Sequence, residues 1–413
     1  MNFELSTEIK DVAAGVLGFI DRVVVPMEVK NRSLLEDERN RYTPEGRYVP
    51  EVLALRREVR MKSAEAGFYT MFGSAKMGGD QLGPLAAAHV AESVYKRYGP
   101  GRTLIKDVVI PSSFTNGLSR LLEYVDPDVV GPLLPGIASG DKTLCFGLSE
   151  PNAGSDVYGI QARARKEGDE WVIRGAKQWV TNSLYADYAV IFAITDPEAA
   201  AQRKNGISAF FVETSREGWG PVSPIPIMGH LGAEIGTIAL DDVRVPEDHL
   251  MGELHNGFKI AIGGVSTGRL TLSASCVGYA QWGHQLAFEY AQQRMTFGKR
   301  LVDHQAIEML LAENAMDIYA AKAMLMHAAW KIDSGQRATK ELSMLKAYST
   351  EMFFRVMDRS IQVHGAMGLT NELRLEEGLR LARTMRIPDG TGEIQRRTVV
   401  RQMLAGDKDI LAL

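Results

Sequence analysis

The sequence predicts an α+β protein built in the order helices, strands, helices. Apolar residues recur at helical spacing before about residue 140, alternate as in strands between about residues 143 and 245, and return to helical spacing from about residue 257. At 413 residues the chain is long enough for two or three domains. We therefore expect a helical amino-terminal domain (1–140), a middle β domain (141–250) and a carboxy-terminal helical bundle (251–413).

The amino-terminal part is predicted as separate helices between glycine-rich loops. Val12, Leu17, Ile20 and Val24 recur at helical spacing. Three further helices have a proline near their start, a position that proline favours, and span Pro50–Glu65, Pro84–Lys96 and Pro127–Ala138.

The middle part is predicted as strands. Residues 161–181, QARARKEGDEWVIRGAKQWVT, have a turn at 166–169, and YAVIFAIT, GISAFFVET and PVSPIPI follow with Gly, Pro, Asp or Asn between them. Such small sheets close into a barrel or a sandwich.

The last part is predicted as a bundle of long helices. The first contains Leu272 and Leu286, and the second runs from Ile307 to Ile332 and ends at Gly335. Three more follow, at Ala338–Val363, Glu372–Arg383 and Thr391–Leu404.

Composition excludes several classes of function. The net charge of -4 and pI of about 6.1, without a basic patch, argue against a nucleic-acid partner. No apolar run approaches the ~18 residues of a membrane span, and the first residues lack a targeting pattern, so we expect a cytoplasmic protein. Cys145 and Cys276 are expected to be buried fillers, and no metal, Rossmann or P-loop motif is present.

The segment Leu144–Asp156, LCFGLSEPNAGSD, joins a predicted strand to a turn of small residues. Gly154 lets the backbone approach a ligand closely, and the hydroxyl groups of Ser149 and Ser155 can bond to a ring edge or a carbonyl group. An ordinary strand and turn is the alternative.

A second segment, KQWVTN, ends the next long strand, and together the two segments resemble the flavin-contacting signature of the acyl-CoA dehydrogenases. Further matches run to Leu404. The resemblance implies a middle-domain barrel whose edge meets the flavin of FAD. It assigns these flavin contacts: Phe146, Leu148, Ser149, Gly154, Ser155, Trp179, Val180 and Thr181.

Two later segments match FAD-contacting positions of the family, and those of the first segment reach across a subunit interface, which implies a homo-oligomer, a tetramer or a dimer. The first segment, RMTFGKRLVDHQA, supplies Arg294, Thr296, Phe297, His304 and Gln305. The second, IQVHGAMG, supplies Gln362, Val363, His364, Gly365 and Ala366, with Ala366 in place of the usual glycine. Without the resemblance, Arg294 reads as a surface-turn residue and His364 as a core or capping histidine.

The resemblance also assigns substrate contacts. Ser266 and Gly268 match residues that line the acyl pocket, Arg269 matches an arginine near the CoA moiety, and Ser155 and Gly390 complete the set. Some family members have their catalytic Glu where this chain has Gly268, so that position offers no base here. The structural alternative for Arg269 is a partly buried arginine that pairs with a nearby carboxylate.

Asp389, in RIPDGTGEIQRR, stands where the family usually has the Glu that removes the α-proton. Gly390 and Thr391 match the family, whereas Glu393 replaces a common Gln; we place Thr391 and Glu393 at the cofactor. An Asx-turn or a helix cap is the simpler interpretation of Asp389. A minority of the superfamily, including nitroalkane oxidases, uses Asp at this position.

The resemblance thus implies FAD-dependent α,β-dehydrogenation of an acyl-CoA thioester to the trans-2-enoyl-CoA, with electrons passed to an electron-transfer flavoprotein. Two alternatives remain. One is a flavin oxidase or monooxygenase of the nitroalkane oxidase type. The other is a catalytically silent FAD-binding subunit of a heteromeric dehydrogenase.

Overall fold

The computed structural model describes residues 4–112, 116–228 and 235–410. Its α-helices are α1 (Thr7–Phe19), α2 (Val25–Lys30), α3 (Arg32–Leu35), α4 (Pro50–Glu65), α5 (Pro84–Tyr98), α6 (Pro127–Val130), α7 (Leu134–Ala138), α8 (Pro197–Ala201), α9 (Gly257–Gln293), α10 (Gln305–Asp333), α11 (Thr339–His364), α12 (Leu375–Met385) and α13 (Gly392–Leu404). A π-helical segment, Ile20–Val24, joins α1 to α2.

The strands are β1 (Leu144–Gly147), β2 (Arg163–Glu167), β3 (Glu170–Thr181), β4 (Tyr188–Ile194), β5 (Ile207–Glu213), β6 (Trp219–Pro224), β7 (Ile235–Pro246) and β8 (Leu250–Met251), followed by the short hairpin β9 (Met295–Thr296) and β10 (Lys299–Arg300). The predicted order of helices, strands and helices is confirmed. One predicted helix, Pro127–Ala138, is divided into α6, a 3-10 turn and α7, because Pro132 and Pro135 lack the N–H that a continuous helix needs.

The chain forms two compact units. The sheet unit contains residues 20–82 and 103–267, and the bundle unit contains 1–19, 83–102 and 268–413, within the described ranges. The predicted amino-terminal helical domain is therefore shared: α1 and α5 belong to the bundle unit, and α2–α4, α6 and α7 belong to the sheet unit. The three-domain division drawn from the sequence stays a prediction.

In the sheet unit, β1 to β8 form one sheet in the order β6-β7-β3-β2-β4-β5-β8, with β1 beside β4. One hydrophobic cluster takes Val243 from β7 and Phe210 from β5. Four strand spacings separate these strands along the sheet, about 19 Å if it were flat. Because both strands fill one core, the sheet curls around it, as in a barrel.

The opposite face of β4 and β5 packs on the helical segments of the sheet unit. Phe192 and Phe211 share a second cluster with Leu121 and Ile137, whereas their strand neighbours face the first cluster. Successive side chains on a strand point to opposite faces, so this alternation gives the sheet two apolar faces. On β4 and β5, both faces of the sheet are therefore occupied by apolar packing.

The bundle unit packs its long helices around a core that includes Leu270, Leu325 and Phe353, taken from α9, α10 and α11. Helix α9 is long and apolar enough to cross a membrane by length and composition alone. The expectation that no segment reaches this threshold was therefore wrong. The finding is weak evidence for a membrane span, since Leu270 and much of the helix that follows are buried in this core.

Candidate active site

The turn after β1 carries the first group of expected flavin contacts. The backbone N–H of Gln178 in β3 donates to the carbonyl oxygen of Ser149 at 2.9 Å, which ties the turn to the neighbouring strand. Gly154 and Ser155 are exposed, and no atom lies within 4 Å of the position that a Cβ on Gly154 would take. Phe146 and Leu148 are half-buried beside the second sheet cluster.

A buried ion pair connects this turn to β3 and to the residues before β2. Lys177 Nζ lies 2.6 Å from Glu150 Oε1, and the side chains of Lys177 and Glu150 are 0% and 5% exposed. The Glu150 carboxylate also accepts the backbone N–H groups of Gln161 (2.6 Å) and Ala162 (3.0 Å). Burial lowers the pKa of Lys177 to about 8, and the Glu150 charge opposes that shift. The pair was not identified from the sequence, in which Lys177 lies among polar, small and half-buried residues of β3.

Trp179 is presented by an irregularity in β3. The register of β3 on β7 shifts between Lys177 and Val180, and Trp179 has a φ of 63°. Such a bulge re-aims a side chain. The indole is 52% exposed and Thr181 is exposed, whereas the side chain of Val180 is buried at 1% exposure. Val180 thus offers a ligand only its backbone, and Trp179 offers an aromatic ring.

In the bundle unit, the segment after α9 is a hairpin and not an irregular surface turn. Phe297 sits at its tip with a φ of 49° and is 98% exposed. Thr296 Oγ1 lies 3.1 Å from His304 Nε2, which links the hairpin to the start of α10. Arg294 and Gln305 are exposed on either side. A single exposed ring is ordinary on a protein surface, so the position of Phe297 alone does not indicate a partner.

The end of α11 supplies the next group. Gln362, Gly365 and Ala366 are exposed; Gly365 has a φ of 60°, and no atom lies within 4 Å of where its Cβ would be. Val363 is buried, and so is His364, whose Nδ1 donates to the Ser360 carbonyl at 2.8 Å. The interpretation of His364 as a core histidine is therefore the one that the structure supports. Any contact of Val363 or His364 with a cofactor is limited to backbone atoms.

Asp389 lies in a tight turn between α12 and α13. Its φ is 57° and that of Gly390 is 90°. The side-chain oxygen of Thr391, not that of Asp389, caps α13 by accepting the N–H of Ile394 at 3.4 Å. Among the described residues, no group donates a hydrogen bond to the Asp389 carboxylate. Helix capping therefore does not account for Asp389.

Two side chains hold the backbone of this turn. Arg269 Nε donates to the Asp389 carbonyl oxygen at 2.9 Å, and Gln395 Nε2 donates to the carbonyl oxygens of Asp389 (2.9 Å) and Gly390 (3.1 Å). A Cβ on Gly390 would lie 2.8 Å from Gln395 Nε2. Only glycine suits this position, since the left-handed φ and the crowding both exclude a side chain. Arg269 thus bonds to the backbone of the turn, and in the part of the chain that the structure describes it interacts with the Asp389 carboxylate through charge without a hydrogen bond to it.

A third donor, Lys346 of α11, was not identified from the sequence. Its Nζ donates to the carbonyl oxygens of Gly390 at 2.9 Å and Arg386 at 3.2 Å, and its side chain is fully buried. Lys346 is four residues from Leu342 and seven from Phe353, both in the core. A charged residue on an apolar helical stripe is the signal that sequence analysis could have used.

Two opposing effects determine the pKa of Asp389: burial raises it, and two nearby cations lower it. Burial raises the pKa of Asp389 to about 6, and Lys346 and Arg269 limit the rise. Burial lowers the pKa of Lys346 to about 8, while Asp389 opposes that change. A carboxylate with a pKa near working pH, and with no donor on its oxygens among the described residues, is suited to accept a proton.

The expected substrate contacts on α9, Ser266 and Gly268, lie in the first part of that helix and stay a prediction. Ser266 Oγ donates to the carbonyl oxygen of Ile262 at 2.9 Å, within the same helix, and Gly268 is buried. Ser266 belongs to the sheet unit, while Gly268, Arg269 and Gly390 belong to the bundle unit. Glu393 is exposed in the first turn of α13.

The groups described above suit FAD chemically. An exposed indole at Trp179 offers a flat apolar surface, and the exposed turns around Gly154 and Gly365 leave room for close approach of a ligand. The exposed guanidinium group of Arg294 has the planar fork that binds pyrophosphate oxygens. The residues present thus fit the cofactor that the resemblance implies.

Comparison with known proteins agrees with this chemistry. The family model described as "Acyl-CoA dehydrogenase, middle domain" matches residues 145–243, and "Acyl-CoA dehydrogenase, C-terminal domain" matches residues 255–404. A protein of Bacillus subtilis described as a probable acyl-CoA dehydrogenase, YngJ, is 33% identical over 404 residues, which cover 98% of this chain and 100% of that protein.

Two further relatives are informative. A subunit of Acetobacterium woodii, "Caffeyl-CoA reductase-Etf complex subunit CarC", is 32% identical over 347 residues, which cover 84% of this chain and 89% of the relative. The structure of butyryl-CoA dehydrogenase from Megasphaera elsdenii is 26% identical with a TM-score of 0.81, and the match covers 98% of this chain and 100% of that one.

Proposed function

The chain belongs to the acyl-CoA dehydrogenase family of FAD-dependent oxidoreductases, and on that premise we propose that it converts an acyl-CoA thioester to the trans-2-enoyl-CoA with Asp389 as the base. General acyl-CoA dehydrogenation follows from the family. The identity of the base, the substrate and the electron acceptor are the proposal.

One observation carries the assignment of the base. The Asp389 carboxylate, which the resemblance matches to the family's base, accepts no hydrogen bond from the described residues and does not cap the helix that follows it. A carboxylate with a purely structural role would instead be hydrogen-bonded. Its raised pKa, about 6, matches the general requirement that a base titrate near working pH.

The proposed step begins with the Asp389 carboxylate taking the α-proton of the thioester. An α-C–H group is a very weak acid, so the negative charge that develops on the thioester oxygen needs a fixed donor. We assign this role to the backbone N–H of Asp389, whose turn Arg269 and Gln395 hold through its carbonyl oxygen. When bound, FAD supplies the acceptor for the β-hydrogen as hydride.

The shorter side chain of Asp must be compensated. Asp has one methylene fewer than Glu, which withdraws the carboxylate by roughly 1.5 Å, whereas proton transfer needs an approach of about 2.6–3.2 Å. The turn itself is the means that we propose. Pro388 fixes one dihedral and biases Ile387 towards an extended conformation, and Asp389 follows with a φ of 57°.

The electron acceptor that we propose is an electron-transfer flavoprotein. Support comes from the relative named as part of a caffeyl-CoA reductase-Etf complex. A second relative, a 3-(aryl)acrylate reductase of Clostridium sporogenes, is 32% identical over 348 residues. Both relatives are named as reductases, so their names imply the reverse reaction, reduction of a carbon–carbon double bond. Reduction of an enoyl thioester, with Asp389 returning the α-proton, is therefore a second candidate activity.

We further propose a homo-oligomer, a tetramer or a dimer, in which Arg294 and Phe297 complete the FAD site of a neighbouring subunit. The support is the match of these residues to family positions that reach a neighbouring subunit, and Phe297, which is 98% exposed at a hairpin tip, is accessible for such a contact. A cytoplasmic location remains part of the proposal.

The test is an anaerobic reaction of the purified flavoprotein with acyl-CoA thioesters that differ in chain length, branching and aryl substitution. Loss of the oxidised-flavin absorbance with at least one thioester is the expected result. Oxygen consumption with a nitroalkane and no response to any thioester would instead establish the oxidase alternative. Copurification with a related chain and no response to either class would indicate a silent subunit.

A further inference from the structure

Lys346 is a buried cation, and burial destabilises its charged form. Its side chain is fully buried, its Nζ bonds to two backbone carbonyl oxygens, and within the described part of the chain it forms no ion pair. An ammonium group without a hydrogen-bonded carboxylate is expensive to bury. By contrast, the buried Lys177 and Lys340 each bond to a carboxylate, Glu150 and Asp407. The core packing of α11 alone does not account for a lysine at this position.

The two carbonyl groups that Lys346 contacts bracket the proposed base. Arg386 precedes Asp389 by three residues and Gly390 follows it, so one ammonium group spans the whole turn. Asp389 has a φ of 57°, a conformation that L residues adopt at a cost unless their surroundings impose it. The contact from α11 is thus placed where it fixes the direction of the Asp389 side chain.

Lys346 is also a source of charge beside the carboxylate. The charged and titratable groups that interact with Lys346 are Asp389 in the turn, Cys276 and Arg269 on α9, and Glu393 on α13. Of these, Arg269 is the other cation that acts on Asp389. Both cations stabilise the ionised carboxylate, which is the form that accepts a proton.

We propose that Lys346 is a positioning residue for the reaction, which fixes the Asp389 turn through the Arg386 and Gly390 carbonyl oxygens and supplies positive charge that stabilises the Asp389 carboxylate. This inference rests on the proposed function for the role of Asp389 as a base. It adds a residue outside the motifs that carry the family resemblance, acting on the base from a helix distant in sequence.

Three substitutions separate the two effects. Lys346→Gln keeps a donor and removes the charge, Lys346→Met removes both, and Lys346→Arg keeps both. The control is Lys340→Met, which removes another buried lysine of α11 that bonds to Asp407 and not to the turn. All four variants are compared with wild type in FAD content, thermal unfolding and the pH profile of anaerobic flavin reduction by butyryl-CoA.

The expected result is a pH midpoint of flavin reduction that moves upward by about one unit or more in Lys346→Gln and Lys346→Met, since a neighbouring opposite charge lowers a carboxyl pKa by about 1–3 units. Lys346→Met should also lose about tenfold or more of the plateau rate, because the turn is no longer held. Lys346→Arg and Lys340→Met should keep the wild-type midpoint. An unchanged midpoint in folded, FAD-loaded Lys346→Gln would overturn the proposal.

A measurement without substrate distinguishes this proposal from the proposed function. Infrared titration of the carboxyl band that disappears in Asp389→Asn reports the Asp389 pKa directly in wild type and in Lys346→Gln. An upward shift in Lys346→Gln supports the electrostatic role of Lys346 even if no thioester reduces the wild-type flavin, in which case only the reaction assignment fails. No shift in that band refutes the electrostatic role whatever the enzyme oxidises.

Discussion

Asp389→Asn should abolish catalysis and stabilise the protein at the same time. Asn has the shape of Asp and tolerates a left-handed φ, here 57°, at least as well. The bonds from Arg269 and Gln395 end on the backbone carbonyl of residue 389, so they survive the substitution. What changes is that the side chain can no longer ionise. Flavin reduction should fall by at least ~10²-fold, the lower end for a positioned general base.

The stability gain follows from the raised pKa of Asp389. The pKa of Asp389 rises from 3.8 to about 6 on folding. At ~1.4 kcal/mol per pH unit, ionisation of Asp389 therefore lowers the free energy of unfolding by about 1–3 kcal/mol. The sign follows from proton binding. Above pH 6 the folded chain holds an unfavourable charge that the unfolded chain carries freely, so wild type is less stable than Asp389→Asn. Below about pH 4 the Asp389 side chain is neutral in the folded and in the unfolded chain, so the difference in stability between wild type and Asp389→Asn disappears.

The assay is denaturant unfolding of both proteins with FAD bound, at pH 4, 6 and 8, beside anaerobic flavin reduction. Asp248→Asn is the control, because Asp248 is exposed and lies outside the turn. It should change neither stability nor rate appreciably. If Asp389→Asn is less stable than wild type at pH 8, the pKa of Asp389 is not raised in the folded protein. If Asp389→Asn reduces its flavin at the wild-type rate with a substrate that wild type accepts, the base lies elsewhere.

Five other outcomes are expected. Mass spectrometry of the released cofactor should find one FAD per chain. Arg294→Ala should weaken FAD retention by ~1.5–3 kcal/mol, the value of a charge-assisted hydrogen bond, while light scattering of wild type should show a dimer or tetramer. Lys177→Met should destabilise the sheet unit by about 3–5 kcal/mol, because it leaves the buried Glu150 carboxylate without its cation; Glu150→Gln in the same chain should recover part of the loss. The wild-type rate of flavin reduction should rise with pH through about 6 and then level off, because the base must be ionised.

Each of these has a contradicting result. FMN as the released flavin, or no flavin after reconstitution, would remove the cofactor assignment. A stable monomer with full FAD, or unchanged FAD retention in Arg294→Ala, would refute the shared site. An unchanged unfolding midpoint in Lys177→Met would mean that the ion pair does not hold the turn. A rate that falls as pH rises through 6 would require an acid in place of the Asp389 base.

The order of the elements could be predicted because hydrophobic period depends on local residues alone. Pro50–Glu65 was predicted with the bounds that the structure has, since proline and the apolar spacing mark its start and length. The position of Asp389 could be predicted because it lies in a motif. Its raised pKa depends on burial in the folded chain and is a finding of the structure.

What the sequence could not supply are contacts between segments far apart in the chain. Lys346 contacts the carbonyl group of Gly390, 44 residues away, and the spacing of residues in the sequence does not predict that contact. The bulge at Trp179 depends on the register of β3 against β7, which a single strand does not encode. The capping interpretation of Asp389 depended on which of two neighbouring polar residues faces the first N–H groups of α13, and the structure selects Thr391.

The central claim is that this chain removes an α-proton from an acyl-CoA thioester with Asp389. The most direct measurement is anaerobic flavin reduction by a panel of thioesters, made side by side on wild type and FAD-loaded Asp389→Asn. The account predicts rapid loss of oxidised-flavin absorbance in wild type with at least one thioester and a rate at least ~10²-fold lower in the variant. Equal rates in the two proteins, or no reduction of wild type by any thioester, would contradict it.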